Sequence, residues 1–254
     1  MRILRGDVAF RTCVLMVGAL LPAGWAAAQA KTTGSASIVS DYAFRGVSQS
    51  NLKPAFQVGM EHQAGNGIYV GTWGSNISWL SDLSTAAAPI SSSLEVDVYG
   101  GHRGNLSRAW SYEVGLSYYG FPGNYPAGFK RADTIALHGG LDFAATPDFT
   151  VGAEYKYSHA LAVGWSGTGY LELSASWRFR PGWTLDAHAG KQWIKRKREY
   201  QYSDWKLGVT RRFENGFLLG LAYVGTNANA VLYTNAFGRN IAKDRLVMKI
   251  GKEF

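Results

Sequence analysis

Residues 110–118 read WSYEVGLSY, in which apolar or aromatic side chains alternate strictly with glycine, serine and glutamate. A period of two is typical of a β-strand whose two faces have different surroundings. The same alternation recurs over residues 56–61, 94–99, 149–157, 171–179, 183–189 and 205–209. No stretch has the i, i+3, i+4, i+7 spacing of an amphipathic helix, so the sequence predicts an all-β fold.

Two kinds of connection separate the predicted strands. Five are short and rich in turn-forming residues, at 64–67, 103–105, 145–148, 180–182 and 214–216. Six are long and polar, at 46–54, about 79–91, 120–133, 158–168, 191–203 and 225–240. The two kinds alternate, so these connections predict a 12-stranded antiparallel up-and-down β-barrel with all short turns at one end. An even number of strands also places both ends of the barrel chain at the short-turn end.

The start of the chain has the pattern of a cleaved secretory signal peptide. Arg2, Arg5 and Arg11 precede or flank a short apolar run at 13–21, and Ala-Gln-Ala follows at 28–30. We therefore expect residues 1–30 to be removed and residues 31–254 to form the barrel. The only cysteine of the 254 residues lies in the leader, so the exported part has no disulfide. A hydrophobic fraction of 46% with 17% charged residues excludes a disordered chain.

Alternation alone fits both a soluble β-sandwich and a transmembrane barrel, because each has one apolar face. Two features favour the barrel: glycine and serine are frequent on the polar face, and aromatic residues lie near the ends of the apolar segments. Those aromatic residues are Trp73, Trp110, Tyr118, Trp177, Phe179, Trp183, Trp205 and Phe217. The last strand closes on Phe254, which resembles the signal read by the barrel assembly machinery. We expect an outer-membrane location, with lipids and lipopolysaccharide as neighbours.

A family resemblance adds to this interpretation. The predicted first strand, residues 40–50, reads SDYAFRGVSQS, residues 53–55 read KPA and residues 69–76 read YVGTWGSN. These segments resemble the opening of the TorF-type porin family, also described as a conserved hypothetical outer-membrane family. Residues 118–123 and 202–209 are similar to later blocks of the same family. The resemblance implies an outer-membrane barrel and diffusion of small solutes, and it implies no catalytic residue.

Most charged residues of the predicted strands share the polar face, which points into the barrel. The candidate pore-lining residues are Asp41, Arg45, Glu61, Glu95, Asp97, Glu113, Glu154, Lys156, Glu172, Arg178, Asp186, Asp204, Lys206, Arg245 and Lys249. We predict a porin-like channel whose selectivity depends on lumen charge and width. The excess of acidic groups on this face favours cations, whereas the basic run at 195–198 would attract anions or lipopolysaccharide. A solvated charged loop explains that basic run equally well.

Two other functions stay open at this point. Ion pairs between inward side chains could fill the barrel, which would make it a structural or surface-interaction protein. An outer-membrane lipid-modifying enzyme is the third possibility, because His138 and His188 share the inward face with carboxylates. No Gly-x-Ser-x-Gly motif or metal-ligand spacing accompanies these histidines. We therefore predict no catalytic, cofactor-binding or metal-binding residue, and no nucleic-acid partner.

Overall fold

The computed structural model describes residues 30–161 and 165–254, so the predicted signal peptide lies outside the described residues except for Ala30. Twelve antiparallel strands close into one barrel, which confirms the predicted fold and strand number. The barrel strands are β1 (Lys31–Val39), β4 (Ala55–Gln63), β5 (Ile68–Asn76), β6 (Leu94–Asn105), β7 (Trp110–Gly120), β8 (Thr134–Thr146), β9 (Phe149–Leu161), β10 (Trp165–Arg180), β11 (Trp183–Ile194), β12 (Tyr202–Arg212), β13 (Phe217–Thr226) and β14 (Arg245–Glu253). The remaining strands, β2 (Ala43–Phe44) and β3 (Val47–Ser48), pair only with each other and form the inner hairpin.

Each barrel strand pairs with its sequence neighbours, and β1 closes the ring by pairing with both β4 and β14. At the seam, the backbone of Phe254 exchanges two hydrogen bonds with that of Gly34. Closure leaves no free strand edge, which is the condition for a sheet to exist in lipid. The first and last strands begin and end at the short-turn end, as predicted.

The outer surface of the barrel is a belt of exposed apolar side chains. Leu137 on β8 and Leu173 on β10 are 57% and 55% exposed, and equivalent residues line the outward face of every long strand. Such a continuous apolar surface requires a bilayer rather than water. None of the helices in the described part of the chain is long and apolar enough to cross a membrane.

One of the aromatic residues predicted to face outward has the opposite orientation. Trp73 lies on the inward parity of β5 and packs edge-on against Tyr42, with ring centroids 5.3 Å apart. The alternation around it reads Thr-Trp-Gly-Ser, which has too little apolar contrast to assign the two faces. By contrast, Trp110, Trp177 and Phe217 are exposed on the outer surface as predicted.

The structure moves several predicted boundaries. The first strand is Lys31–Val39 rather than residues 40–50, which belong to the connection before β4. Strand β6 continues through the predicted turn at 103–105, so that the turn is 106–109. Strands β9 and β10 occupy most of the predicted loop at 158–168. Long connections at 40–54, 77–93, 121–133, 195–201 and 227–244 share one end of the barrel, which we call the long-loop end.

Candidate functional site

The connection between β1 and β4, residues 40–54, folds into the barrel and is called the inner segment below. Its residues Asp41, Tyr42 and Ser48 are buried, although they follow a strand that ends at the barrel rim. The inner hairpin turns at Arg45 and Gly46, whose φ values are +49° and +79°. Two consecutive residues with positive φ are typical of the type I′ turn that joins tight hairpins. This turn carries the Arg45 side chain towards the centre of the lumen.

An ion pair fixes the inner segment to the barrel wall. Arg245 Nε donates a hydrogen bond to the Asp41 carboxylate at 2.5 Å, and both side chains are less than a tenth exposed. Hydroxyl groups of Ser48 and Ser50 donate to the same carboxylate. Arg245 Nη1 also donates to the carbonyl of Gly46 at 3.0 Å. The tip of the inner hairpin is therefore tethered to β14 and is a fixed part of the lumen.

A large cavity, which we call the vestibule, lies between the inner hairpin and the long loops. Its volume is about 430 Å³, within the range of small-molecule sites. Aromatic side chains form much of its wall, namely Phe44, Trp79, Tyr119, Phe121, Tyr200, Tyr202 and Tyr233. Arg45, Asp82 and Glu95 also line it.

Two smaller cavities continue the lumen on the other side of the inner hairpin. The first, the basic cavity, has a volume of about 60 Å³ and is lined by Arg45, Lys156, Lys206 and Lys249 together with Asp41 and Glu172. The second, the acidic cavity, has a volume of about 30 Å³ and is lined by Asp97, Glu113 and Glu154 together with Lys156 and His138. Each volume accommodates only a few water molecules. The inner hairpin is therefore the point where a wide lumen becomes narrow.

Towards the short-turn end, an arginine-centred network fills one side of the barrel. Arg103 Nη1 donates to Glu61 Oε1 at 2.7 Å, and Arg103 Nε lies 3.4 Å from Glu113 Oε2. The Arg103 guanidinium stacks on the Tyr69 ring at 3.9 Å, and the Tyr69 hydroxyl donates to Glu113 at 2.6 Å. His138 Nε2 lies 3.5 Å from the same carboxylate. These contacts bring two carboxylates, one guanidinium and the His138 ring into a single network.

A second network lies beside the basic cavity. His188 Nε2 is 2.9 Å from Asp204 Oδ1, and its other ring nitrogen is 4.0 Å from Glu172. The Tyr170 hydroxyl donates to Asp204 at 3.1 Å. Each network joins inward side chains from three or more barrel strands.

Outside the spanning strands, the vestibule wall includes the short helical turn Ser81–Leu83. Burial raises the pKa of the Asp82 carboxyl above its usual range, while a hydrogen bond from Ser78 and the charges of Lys53 and Arg239 act in the opposite direction. Burial also raises the pKa of the Tyr233 hydroxyl.

All predicted pore-lining residues except Arg178 have side chains inside the barrel or on the inner segment. Asp41 and Arg45 reach the lumen from the inner segment rather than from a first strand. Arg178 lies at the short-turn rim, where it donates to Asp148 at 2.8 Å and to the carbonyl of Pro147 at 2.7 Å. Within residues 30–161 and 165–254, no group of three or more histidine, cysteine, aspartate and glutamate side chains could hold a metal ion.

Comparison with known proteins places this geometry in a family. Residues 24–254 match the family described as "Bacterial protein of unknown function (Gcw_chp)". The chain belongs to the Gcw_chp family. No curated protein matches it in sequence.

The solved structures that are similar to this Gcw_chp barrel include porins and an outer membrane channel. The KdgM porin has a TM-score of 0.57 at 7% identity, with 87% of this chain and 98% of that chain covered. The NanC porin has a TM-score of 0.56 at 11% identity, with 88% and 99% covered. An outer membrane channel from Pseudomonas putida F1 has a TM-score of 0.53 at 11% identity, with 89% and 96% covered. The Gcw_chp chain thus has the fold of these channels over nearly all of its length.

Several site residues of the Gcw_chp barrel escaped the sequence analysis. Arg103 was assigned to a turn, although continuing the period of residues 94–99 by four positions places it on the inward face. Tyr69, Tyr170 and Gln192 are buried inward residues without charge, so a prediction based on charged side chains does not include them. The period-two alternation of the strands places all four residues on the inward face.

Proposed function

We propose that this chain is an outer-membrane channel for the passive diffusion of small solutes in a Gram-negative bacterium. The supporting observation is a lumen with charged walls on both sides of the inner hairpin, enclosed by a barrel with an apolar exterior. The KdgM and NanC porins share the fold. In a channel of this kind, pore width and lining charge decide which solutes pass. The proposal needs no catalytic step.

The inner segment is the structural basis for selectivity in this proposal. The vestibule admits a small organic molecule, whereas the cavities beyond the hairpin hold only a few waters. Because the Asp41–Arg245 pair anchors the hairpin, the narrow region is a permanent element rather than a chance closure. We therefore expect slow, size-limited diffusion and a low single-channel conductance.

Planar-bilayer recording of purified residues 31–254 tests the function. We expect discrete current steps from the native barrel. Replacing residues 43–48 with two glycines removes the inner hairpin and should raise the conductance several-fold. Deletion of residues 85–88, in an exposed part of the connection between β5 and β6, is the matched control and should leave the conductance unchanged. Folded protein that inserts but passes no current in either the native or the hairpin-deleted form would refute the channel.

A second candidate function is a closed barrel with a structural or surface-interaction role. The Arg103 network favours it, because buried ion pairs occupy the lumen near the short-turn end. This alternative predicts silent native protein and an equally silent Arg103→Gln variant. A channel instead predicts that the native protein conducts.

The proposal also covers how the chain is exported and which molecules surround the barrel. We propose cleavage after Ala30, so that N-terminal sequencing of the protein from outer membranes should begin at Lys31. We propose that the terminal strand ending at Phe254 is read by the barrel assembly machinery, and that lipopolysaccharide borders the long-loop end. The TorF-type resemblance supports the same setting.

A further inference from the structure

Arg45 lies at the tip of the inner hairpin and lines both the vestibule and the basic cavity. Its φ of +49° is a conformation that glycine or asparagine adopts more readily than arginine. Strained backbone of this kind is concentrated at functional sites. The position therefore points to a use for the guanidinium itself.

The side chains that bond to Arg45 or stack on it are uncharged. Arg45 Nη1 donates to Gln192 Oε1 at 2.6 Å, and its guanidinium lies 4.0 Å from the Tyr170 ring centre and 4.8 Å from that of Phe44. In the part of the chain that the structure describes, these partners are an amide and two ring faces rather than a carboxylate. Arg245, at the base of the same hairpin, is by contrast paired with Asp41.

The partners also hold Arg45 in one orientation. Gln192 is fully buried, and its Nε2 donates to the carbonyls of Gly169 and Trp193, which directs its Oε1 towards Arg45. A guanidinium that stacks on a ring and donates through one nitrogen keeps further N–H donors for a planar anion. Carboxylates are the small anions that match this geometry.

The vestibule above Arg45 has the shape and chemistry for a ring. Its volume of about 430 Å³ exceeds that of a single aromatic acid, and Trp79, Phe121 and Tyr202 stand in its wall. Aromatic faces pack favourably on other rings in offset or edge-on arrangements. Beyond the vestibule, exposed Lys195 and Arg196 follow β11 and would draw anions towards the mouth.

We propose that the vestibule binds aromatic monocarboxylates, with the carboxylate on Arg45 and the ring among the aromatic side chains. Among the described residues, Arg45 is the one basic side chain that lines the vestibule, so the site matches a single carboxylate rather than several. The inference deepens the proposed channel function by naming the solute class. It reverses the cation preference that counting acids on the inward face suggests, because the charge at the narrow point is positive.

Equilibrium binding to the folded, detergent-solubilised barrel tests the inference without depending on conduction. Isothermal titration calorimetry with benzoate should detect binding that is at least tenfold stronger than that of benzyl alcohol, which lacks the charge, or of acetate, which lacks the ring. Glucuronate carries the charge on a hydroxylated ring and should also bind more weakly. Benzoate affinity equal to that of benzyl alcohol would overturn the role of Arg45. Glucuronate affinity equal to or above that of benzoate would overturn the aromatic class.

Substitution then locates the site. Arg45→Gln should weaken benzoate binding about tenfold or more, because it removes a charge-assisted hydrogen bond, and Arg45→Lys should weaken it less. The control is Arg211→Gln, which removes the same charge from a side chain lying over Trp183 and Phe213 near the short-turn end. Equal affinities of native protein and folded Arg45→Gln would refute the proposal. Benzoate binding by a barrel that passes no current would refute the channel and leave this inference standing.

Discussion

Removing the Arg245 side chain should release the inner segment from the barrel wall. In the native structure the Asp41 carboxylate accepts hydrogen bonds from Arg245 and from two serine hydroxyls, and Arg245 also donates to the Gly46 carbonyl. Breaking one side of a buried ion pair costs about 3–5 kcal/mol. Because the serine donors remain, we take the lower value of about 3 kcal/mol for Arg245→Gln. At about 1.4 kcal/mol per factor of ten, the open population of the inner segment should rise about 100-fold.

Thiol labelling measures that population, because residues 31–254 contain no cysteine. Val47 on the inner hairpin packs against Tyr202 and Ala242 and is only 7% exposed at the edge of the vestibule, so a Val47→Cys thiol reacts much faster when the segment opens. We expect Arg245→Gln to speed its labelling by a water-soluble reagent about 100-fold. Arg212→Gln breaks a comparable pair with Glu253 near the chain end, and serves as the control that leaves labelling unchanged. Equal labelling rates with and without Arg245 would refute the anchoring role.

Three further outcomes follow from the same structure. In urea titrations of the barrel in lipid vesicles, Arg103→Gln should lower the free energy of unfolding by about 3–5 kcal/mol, because it leaves two buried carboxylates without the guanidinium that pairs with them. Arg131 is exposed, so Arg131→Gln is the control and should produce no measurable change in the same titration. Leu137→Arg places a charge on the lipid-facing belt and should destabilise the barrel by about 2–4 kcal/mol, whereas Val231→Arg, in a loop where that side chain is 82% exposed, should not. Glu95→Gln removes an ionisable carboxyl group from the vestibule wall. At alkaline pH, where that group is ionised, the substitution should shift the reversal potential in a salt gradient towards anions, and an unchanged potential would show that Glu95 lies off the permeation path.

The barrel was predictable because its determinants are local. Residues 110–118 show two faces in nine positions, and the turn-rich segments between such stretches divide the chain into strands without knowledge of their partners. The number of strands and the set of residues that face the lipid follow from the same pattern. The prediction of a twelve-stranded barrel needed no tertiary information.

The inner segment was not predictable in the same way. Residues 40–50 alternate as a strand does, and the turn inside them uses Arg45, which is not a typical residue for positive φ. Its burial depends on Arg245, which is about 200 residues away in sequence. The register between strands likewise decides that Arg103 meets Glu61 and Glu113, and single-strand periodicity contains no information on register.

The most direct test of the whole account compares two adjacent residues on β7 that differ only in the face they occupy. Ser117 lines the acidic cavity, whereas Leu116 is exposed on the outer belt. In bilayer recordings of Ser117→Cys, a small, water-soluble methanethiosulfonate reagent should react from the aqueous phase and reduce the single-channel current, and Leu116→Cys should remain unmodified. Equal reactivity of the two thiols, or a current that is unchanged after complete labelling of Ser117→Cys, would contradict a hydrated conducting lumen inside a lipid-facing barrel.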